Sequence, residues 1–175
     1  MHYRELTADE ICRELFRNFI RHQVVTTCRR KEHGTWVLKE EPFIDDWSES
    51  DYETLISCLK HTVLTGGFVY AAFCDRQLKG FVSVEPGLFG GEQNYLDLSS
   101  LHVSEDVRGQ NIGTSLFLAA KKWARTKGAG KLYISSHSAA ETQNFYEKMG
   151  CTEAEVYHQP HVETEPFDCQ LECRI

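Results

Sequence analysis

No hydrophobic run in the sequence approaches the roughly 20 residues that a membrane-spanning helix requires. The first residues, Met1 to Glu5, are too polar for a secretory signal, so we expect a cytoplasmic protein. Basic residues are in the minority, since 19 Lys and Arg stand against 26 Asp and Glu, for a net charge of −7. Because nucleic-acid binding requires a basic surface, we expect neither nucleic acid nor membrane as a partner.

No Cys-x-x-Cys pair is present, although the sequence contains seven cysteines. Their odd number predicts reduced thiols that fill the core rather than a disulfide framework. The spacing of His158, His161, Glu163 and Cys169 matches no familiar set of metal ligands, and we expect no metal.

Two common nucleotide-binding signatures are also missing. There is no Gly-Lys-Ser/Thr of a P-loop and no Gly-x-Gly-x-x-Gly of a dinucleotide-binding fold. A phosphate site is nevertheless predicted where the apolar strand Tyr95–Val103 leads, through Arg108 and Gly109, into a helix. Unpaired amides at the positive end of a helix dipole favour bound phosphate. Coenzyme A is the remaining common ligand of such a turn.

Apolar periodicity and turn residues predict one α/β domain over residues 1–175. The strand–helix–strand crossover from the strand at 95–103 to the strand at 132–136 should be parallel and right-handed. The predicted elements are, in chain order, a helix over 8–20 with Thr7 and Glu10 as its capping box, a turn-like segment over 27–34, an aperiodic segment over 36–47, a helix that begins at 48–51 and ends at Gly66-Gly67, a hairpin of strands 68–73 and 78–85, the strand at 95–103, a helix from 112 to about 127, a strand over 132–136, a helix over 140–148, and closing strands at 151–157 and 168–175.

Two motifs resemble those of the GNAT family of N-acetyltransferases. Leu101-His102-Val103 followed by Arg108-Gly109-Gln110-Asn111-Ile112-Gly113 is similar to its acyl-CoA-binding motif, in which Arg or Gln is followed by two residues, Gly, one residue, and Gly or Ala. Phe145-Tyr146-Glu147-Lys148-Met149-Gly150-Cys151 resembles its Phe-Tyr-x-x-x-Gly-Phe segment. The resemblance extends over residues 68–151. It implies a mixed central sheet, with antiparallel hairpins followed by a parallel β-α-β unit, that splays in the middle.

The resemblance also implies acetyl-CoA as cosubstrate. The main chain of Leu101, His102 and Val103 would bind the pantetheine arm as an added strand, and the amides from Gly109 to Thr114 would bind the pyrophosphate. The full set of implied cofactor-binding residues is Leu101, His102, Val103, Arg108, Gly109, Gln110, Asn111, Ile112, Gly113, Thr114, Ser115, Asn144 and Tyr146.

Catalytic roles follow from the same resemblance. Tyr146 stands where the family commonly keeps its general acid. Asp97 stands where many relatives carry a glutamate, which makes it a candidate general base; Glu85 is the other candidate.

Two positions depart from the family pattern. Asn111 replaces the middle glycine of the acyl-CoA motif, which asparagine tolerates because it reaches left-handed backbone angles. Ala139 replaces a cofactor-contacting asparagine, for which Asn144, Ser138 and Glu141 are the candidate substitutes.

The predicted function is acetyl-CoA-dependent N-acetyl transfer to a primary amine of a small molecule or protein, by direct attack in a ternary complex. One alternative is a non-catalytic CoA-binding sensor in which Tyr146 is structural. Another is an interaction protein that docks partners on its acidic surface. Exchange or extension of the C-terminal strands could produce a homodimer.

Overall fold

The computed structural model of the protein describes residues 1–175 as ten strands and four α-helices. The strands are β1 (His2–Glu5), β2 (His22–Glu32), β3 (Thr35–Asp46), β4 (Phe68–Cys74), β5 (Gln77–Val84), β6 (Tyr95–Asp97), β7 (Ser100–Val103), β8 (Lys131–Ser136), β9 (Thr152–Glu153) and β10 (Cys169–Arg174). The α-helices are α1 (Glu49–Leu64), α2 (Ile112–Thr126), α3 (Ala140–Lys148) and α4 (Gln159–Thr164), and short 3-10 turns occupy Arg13–Phe16, Gly91–Gln93 and Glu105–Val107. None of these helices combines the length and apolar character that crossing a bilayer demands.

The central sheet splits in the middle, and this split creates the site described below. One half has the strand order β1-β4-β5-β7 and the other β6-β8-β10-β9. The single strand predicted over 95–103 is therefore two strands, of which β6 pairs in parallel with β8 and β7 pairs antiparallel with β5. The amide of Leu98 donates to Tyr133 O at 2.9 Å, and beyond this bond β7 has no partner on the β8 side. The expected splayed mixed sheet and its parallel β-α-β unit are confirmed.

Helices α2 and α3 cover one face of both half-sheets. Leu116 and Phe117 of α2 and Tyr146 of α3 share one hydrophobic core with Leu96 of β6 and Ile134 of β8. The opposite face of the first half-sheet is covered by α1 and the 3-10 turn at Arg13–Phe16. Strands β4 and β5 of this half-sheet therefore have buried side chains on both faces, which explains their nearly continuous apolar sequences.

Local sequence signals fix the ends of α1 as predicted. The Ser48 hydroxyl accepts a hydrogen bond from the Asp51 amide at 3.3 Å, and the Asp51 carboxylate accepts one from the Ser48 amide at 2.7 Å. This reciprocal capping box satisfies two amides that a helix start leaves unpaired. Gly66, with φ of +88°, allows the chain to leave the helix.

The helix predicted over 8–20 is wrong, because only Arg13–Phe16 forms a 3-10 turn. The apolar side chains of this segment are nevertheless buried as expected, since Ile11, Phe16 and Phe19 lie in the core beneath α1. Of the capping box expected for Thr7 and Glu10, only one bond forms, since the Glu10 carboxylate accepts from the Thr7 amide at 2.9 Å while the Glu10 amide donates to Thr7 O and not to its hydroxyl. Packing of these side chains against β5, including the edge-on contact of Phe16 with Phe81, outweighs their helical spacing.

The turn-like segment over 27–34 and the aperiodic segment over 36–47 were also predicted wrongly. They form the long antiparallel hairpin β2–β3, which reverses at His33 and Gly34, both with positive φ. Only Val25 and Cys28 in the whole hairpin are buried. Because so few side chains face a core, the sequence lacks the alternation of apolar and polar residues that predicts a strand.

The C-terminal region departs from prediction in one further respect. The strand expected over 151–157 is limited to Thr152–Glu153, and α4 follows it where no helix was predicted. Pro160 occupies the first turn of α4, where a missing amide donor has no cost. The closing strand β10 is present as expected, between β8 and β9.

Candidate active site

The split between β7 and β8 opens into a cavity of about 660 Å³. Residues 98–103 form one wall, and residues 134–137 together with α3 form the other. The loop that leads into α2 forms one end, and Arg21 and Gln23 at the start of β2 contribute as well. A cavity of this volume accommodates a ligand of cofactor size.

Backbone amides are concentrated where this cavity meets the N-terminus of α2. Gly109 and Asn111 have φ of +78° and +61°, and these left-handed angles reverse the chain just before the helix. None of the six amides from residue 109 to residue 114 donates a hydrogen bond within the protein. The next amide, that of Ser115, donates to Asn111 O at 3.1 Å. Six free donors at the positive end of a 15-residue helix form a strong anion site.

Gly113 brings the start of α2 against α3 without an intervening side chain. A Cβ atom at this position would lie 3.3 Å from Phe145 and 3.7 Å from Val103. Arg108 extends along the same region, where its Nε donates to Val103 O at 3.3 Å, and its guanidinium forms no ion pair. An accessible backbone and an uncompensated positive charge therefore adjoin the six free amides.

Tyr146 lines the cavity from α3 and is only 6% exposed. Its ring packs edge-on against Phe117, with ring centres 6.1 Å apart. Its hydroxyl forms no hydrogen bond within the protein, unlike those of Tyr95 and Tyr133, which bond to buried side chains. Burial raises the pKa of Tyr146 above its usual value, so that the phenol is neutral and its proton is available.

His102 lines the cavity, and its side chain packs between two aromatic rings. Its imidazole lies edge-on to Trp47, with ring centres 4.7 Å apart, and 5.4 Å from the ring of Phe81. Burial, assisted by the charges of Arg21 and Arg108, lowers the pKa of His102 to about 3, so the side chain is neutral.

Asp97 lies on the sheet face opposite α2 and does not line the cavity. Its Oδ2 accepts a hydrogen bond from His161 Nε2 of α4 at 2.7 Å, whereas its Oδ1 is buried without a partner. This bond raises the pKa of His161. Glu85, the other candidate base, accepts hydrogen bonds from the hydroxyls of Thr62 and Ser99 at 2.7 Å each, and Ser99 lines the cavity.

The remaining candidate positions divide between the cavity and its surroundings. Asn144 and Glu141 line the cavity, whereas Gln110 and Ser115 do not. The Ser138 hydroxyl accepts a hydrogen bond from Arg30 at 2.5 Å, so it is already engaged. No group of three or more His, Cys, Asp and Glu side chains is arranged to hold a metal ion.

Arg21 was missed in the sequence because β2, which begins at the next residue, has no apolar pattern. Its side chain is 9% exposed, forms an ion pair with Asp45 and lies 5.3 Å from the ring centre of Trp47. Its Nε is buried without a partner. A buried cation beside a cavity would be recognised in the sequence only if the β2–β3 hairpin had been predicted.

The sequence was compared with models of known protein families and with known proteins. The sequence pattern of the Acetyltransferase (GNAT) family matches residues 29–151. No curated protein sequence matches the chain. Strands β3 to β8 and helices α1, α2 and α3 lie within the matched range, including the free amides and Tyr146, whereas β1, most of β2, β9, α4 and β10 lie outside it.

Several solved structures share the fold at low sequence identity. A nourseothricin acetyltransferase is 19% identical, with a TM-score of 0.71, over 99% of this chain and 97% of its own. A protein of Bacillus anthracis assigned as a streptothricin acetyltransferase, solved with acetyl coenzyme A, is 15% identical, with a TM-score of 0.72, over 99% of this chain and 98% of its own. The PaiA N-acetyltransferase of Thermoplasma acidophilum, solved with coenzyme A, is 18% identical, with a TM-score of 0.62, over 99% of this chain and 98% of its own.

The family pattern covers well over half of the chain, and it includes both the free amides at the start of α2 and the tyrosine that faces them across the cavity. The chain belongs to the GNAT family of acetyltransferases.

Proposed function

We propose that the protein transfers the acetyl group of acetyl-CoA to a primary amine of a small molecule or protein, by direct attack in a ternary complex. The observation that carries this proposal is that one cavity is lined by five of the six residues with free amides, by an unpartnered edge of β7 and by Tyr146 with its free hydroxyl. Relatives of the same fold that were solved with acetyl coenzyme A or coenzyme A support it.

The residues around the cavity fit acetyl-CoA. The six amides from residue 109 to residue 114 would bind the diphosphate, and Arg108 would add positive charge. The free edge of β7 at Leu101, His102 and Val103 would bind the amides of the pantetheine arm as a neighbouring strand does. Gln110, Ile112, Ser115 and Asn144 complete the proposed binding set. When bound, acetyl-CoA supplies an activated thioester as the acetyl donor.

Tyr146 is the proposed general acid. Its phenol is neutral, has no partner within the protein and faces the cavity. A group that holds its proton at neutral pH and has no competing acceptor can donate that proton to a departing thiolate. Burial of the ring between Phe117 and Phe145 fixes the direction of the hydroxyl.

Asp97, together with His161, is the proposed proton acceptor for the incoming ammonium group, and because neither residue lines the cavity the proton would reach them through water. The neutral imidazole of His161 takes the proton, and the Asp97 carboxylate stabilises the imidazolium that results. Because Asp97 raises the pKa of His161, the pair is a base only above that raised pKa. We therefore expect kcat/KM to increase with pH through this range.

The variant Asp97→Asn tests this role. We expect kcat/KM at pH 7 to fall by about 100-fold, since a positioned base contributes on the order of 10² or more. The rising limb of the pH profile should shift to lower pH, because the pKa of His161 returns toward about 6.5 without the carboxylate. Steady-state rates between pH 5 and pH 9 measure the first effect, and an NMR titration of His161 measures the second.

Glu85→Gln is the matched comparison for Asp97→Asn, since it removes the charge of the other candidate base. We expect it to change kcat/KM only slightly and to leave the pH profile in place. A large loss in Glu85→Gln with none in Asp97→Asn would contradict the proposed base.

A screen of amine acceptors tests the function as a whole. Purified protein and acetyl-CoA are combined with aminoglycosides, nourseothricin, polyamines, amino acids and N-terminal peptides, and free thiol is measured. We expect amine-dependent thiol release with at least one class and a matching mass increase of one acetyl group on the amine. Calorimetric binding of coenzyme A without turnover on any amine would favour the sensor alternative. If coenzyme A does not bind, both the acetyltransferase and the sensor are contradicted.

A further inference from the structure

Cys151 and Cys173 occupy opposite positions on neighbouring antiparallel segments. Strand β9 pairs with β10 through Glu153 with Leu171 and Thr152 with Glu172, so the next pair in this register is Cys151 with Cys173. Residues that face each other on antiparallel strands have Cα atoms about 4.5–5.5 Å apart. Disulfide-bonded cysteines have Cα separations of about 4.4–6.8 Å. The register therefore brings two free thiols to a separation at which they can bond without a large backbone movement.

A lysine lies beside this thiol pair. Lys121 of α2 directs its ammonium to Cys173 Sγ at 3.5 Å. The ammonium forms no ion pair with a carboxylate, so its charge acts on the sulfur alone. The neighbouring Cys151 thiol and the charge of Lys121 lower the pKa of Cys173, while interaction with Cys173 and burial raise the pKa of Cys151. The result is one nucleophilic thiolate next to one protonated thiol.

We propose that Cys151 and Cys173 form a redox modification site that a small hydroperoxide, such as hydrogen peroxide, converts to a disulfide. The Cys173 thiolate attacks one peroxide oxygen, the O–O bond breaks, hydroxide leaves, and a sulfenic acid forms. The Cys151 sulfur then attacks the Cys173 sulfur, and its thiol proton and the sulfenic hydroxyl leave as water. Two electrons pass from the thiol pair to the peroxide, which is reduced to water and hydroxide.

The other five cysteines lack this combination of partner and cation. Cys12 and Cys58 are exposed, Cys74 is partly exposed with its sulfur 3.9 Å from an Asp75 carboxylate oxygen, and Cys28 is buried in a small apolar cluster. Cys169 shares the larger core but faces Ser136 in the β10–β8 register, and burial raises its pKa. We therefore expect oxidation to be selective for the pair, although Cys173 and Cys151 are only 3% and 7% exposed.

The site adjoins the cavity but does not depend on the proposed acetyl transfer. The Cys151 amide donates to Tyr146 O at 3.0 Å, and the Cys173 thiol, when protonated, donates at 3.6 Å to the carbonyl of Met149, a residue that lines the cavity. A disulfide would fasten the C-terminal end of α3 to β10. Its formation can be measured chemically, without reference to catalysis.

Peptide mapping of the full-length protein tests the proposal. The reduced protein is treated with hydrogen peroxide, its remaining thiols are alkylated, and it is digested without reductant by a protease that cleaves after glutamate. This digestion places Cys151 in peptide 148–153, Cys169 in peptide 164–172 and Cys173 in peptide 173–175. We expect peptide 148–153 to be linked to peptide 173–175 and to be released by reductant. The proposal is overturned if Cys151 and Cys173 are still recovered as alkylated thiols at peroxide doses that oxidise Cys12 and Cys58. It is also overturned if Cys151 is linked to Cys169 as often as to Cys173.

Variants of the neighbouring lysines test the role of the cation. Lys121→Met should slow formation of the linked peptides by at least about tenfold at pH 7, because the thiolate fraction of Cys173 falls. Lys122→Met removes a neighbouring charge on the exposed side of α2 and should leave the rate unchanged. Equal rates in the two variants and the unmodified protein would overturn the assignment. The melting temperature of each reduced variant checks that it remains folded.

Discussion

Replacing Tyr146 with phenylalanine should lower kcat by about 100- to 1000-fold while the affinity for coenzyme A is unchanged. The substitution removes a hydroxyl that forms no hydrogen bond within the protein, so it leaves no buried partner unsatisfied. The ring that packs against Phe117 and Phe145 is retained. Steady-state thiol release measures kcat, and isothermal titration with coenzyme A measures the affinity.

Tyr52→Phe is the matched control for this experiment. Tyr52 is also buried, but its hydroxyl donates to Phe19 O at 3.2 Å in the core beneath α1, away from the cavity. We expect this variant to lose some stability and to keep the kcat of the unmodified protein. An unchanged kcat in Tyr146→Phe, or a loss that follows the loss of coenzyme A binding, would contradict the role of general acid.

Gly113→Asp should weaken coenzyme A binding by at least about 100-fold, equivalent to about 2.7 kcal/mol. The new carboxylate would stand among the six free amides and would repel the diphosphate that we propose they bind. Its Cβ atom would also lie 3.3 Å from Phe145, which must move by a few tenths of an ångström. Calorimetric titration with coenzyme A gives the affinity, and thermal unfolding shows whether the fold is retained.

Two further variants separate the effects of charge and size at this position. Gly113→Ala introduces the Cβ contact without the charge and should weaken binding far less than aspartate does. Leu118→Asp places the same charge on an exposed position of α2 and should leave the affinity nearly unchanged. If Gly113→Asp binds coenzyme A as the unmodified protein does, the amides at the start of α2 do not bind its diphosphate.

Secondary-structure elements that are determined by neighbouring residues, such as helix caps, turn glycines and apolar runs, were predicted well from the sequence. The capping box of Ser48 and Asp51 fixes the start of α1, and the glycine that follows α1 fixes its end. The strands of the β4–β5 hairpin were predicted because both faces are buried and their sequences are continuously apolar. In the turn before α2, Asn111 adopts the left-handed angle that the asparagine substitution predicted.

Elements whose side chains contact distant segments were predicted poorly. The β2–β3 hairpin has almost no buried face, so its twelve-residue second strand has no period that a sequence reveals. The segment around Phe16 has the apolar spacing of a helix but folds as a single turn, because its contacts with Phe81 and Tyr52 come from other elements. Pairing of Asp97 with His161, 64 residues later in the chain, likewise depends on where α4 packs.

The sequence by itself determined that a strand leads through Arg108 and Gly109 into a helix start rich in free amides, since conformational preference and hydrogen-bonding capacity are properties of neighbouring residues. Only the tertiary structure decided that β6 and β7 part into different half-sheets, that Tyr146 faces the cavity between them, and that Cys151 lies opposite Cys173. These arrangements depend on the register and packing of segments far apart in the chain, and no local preference encodes them.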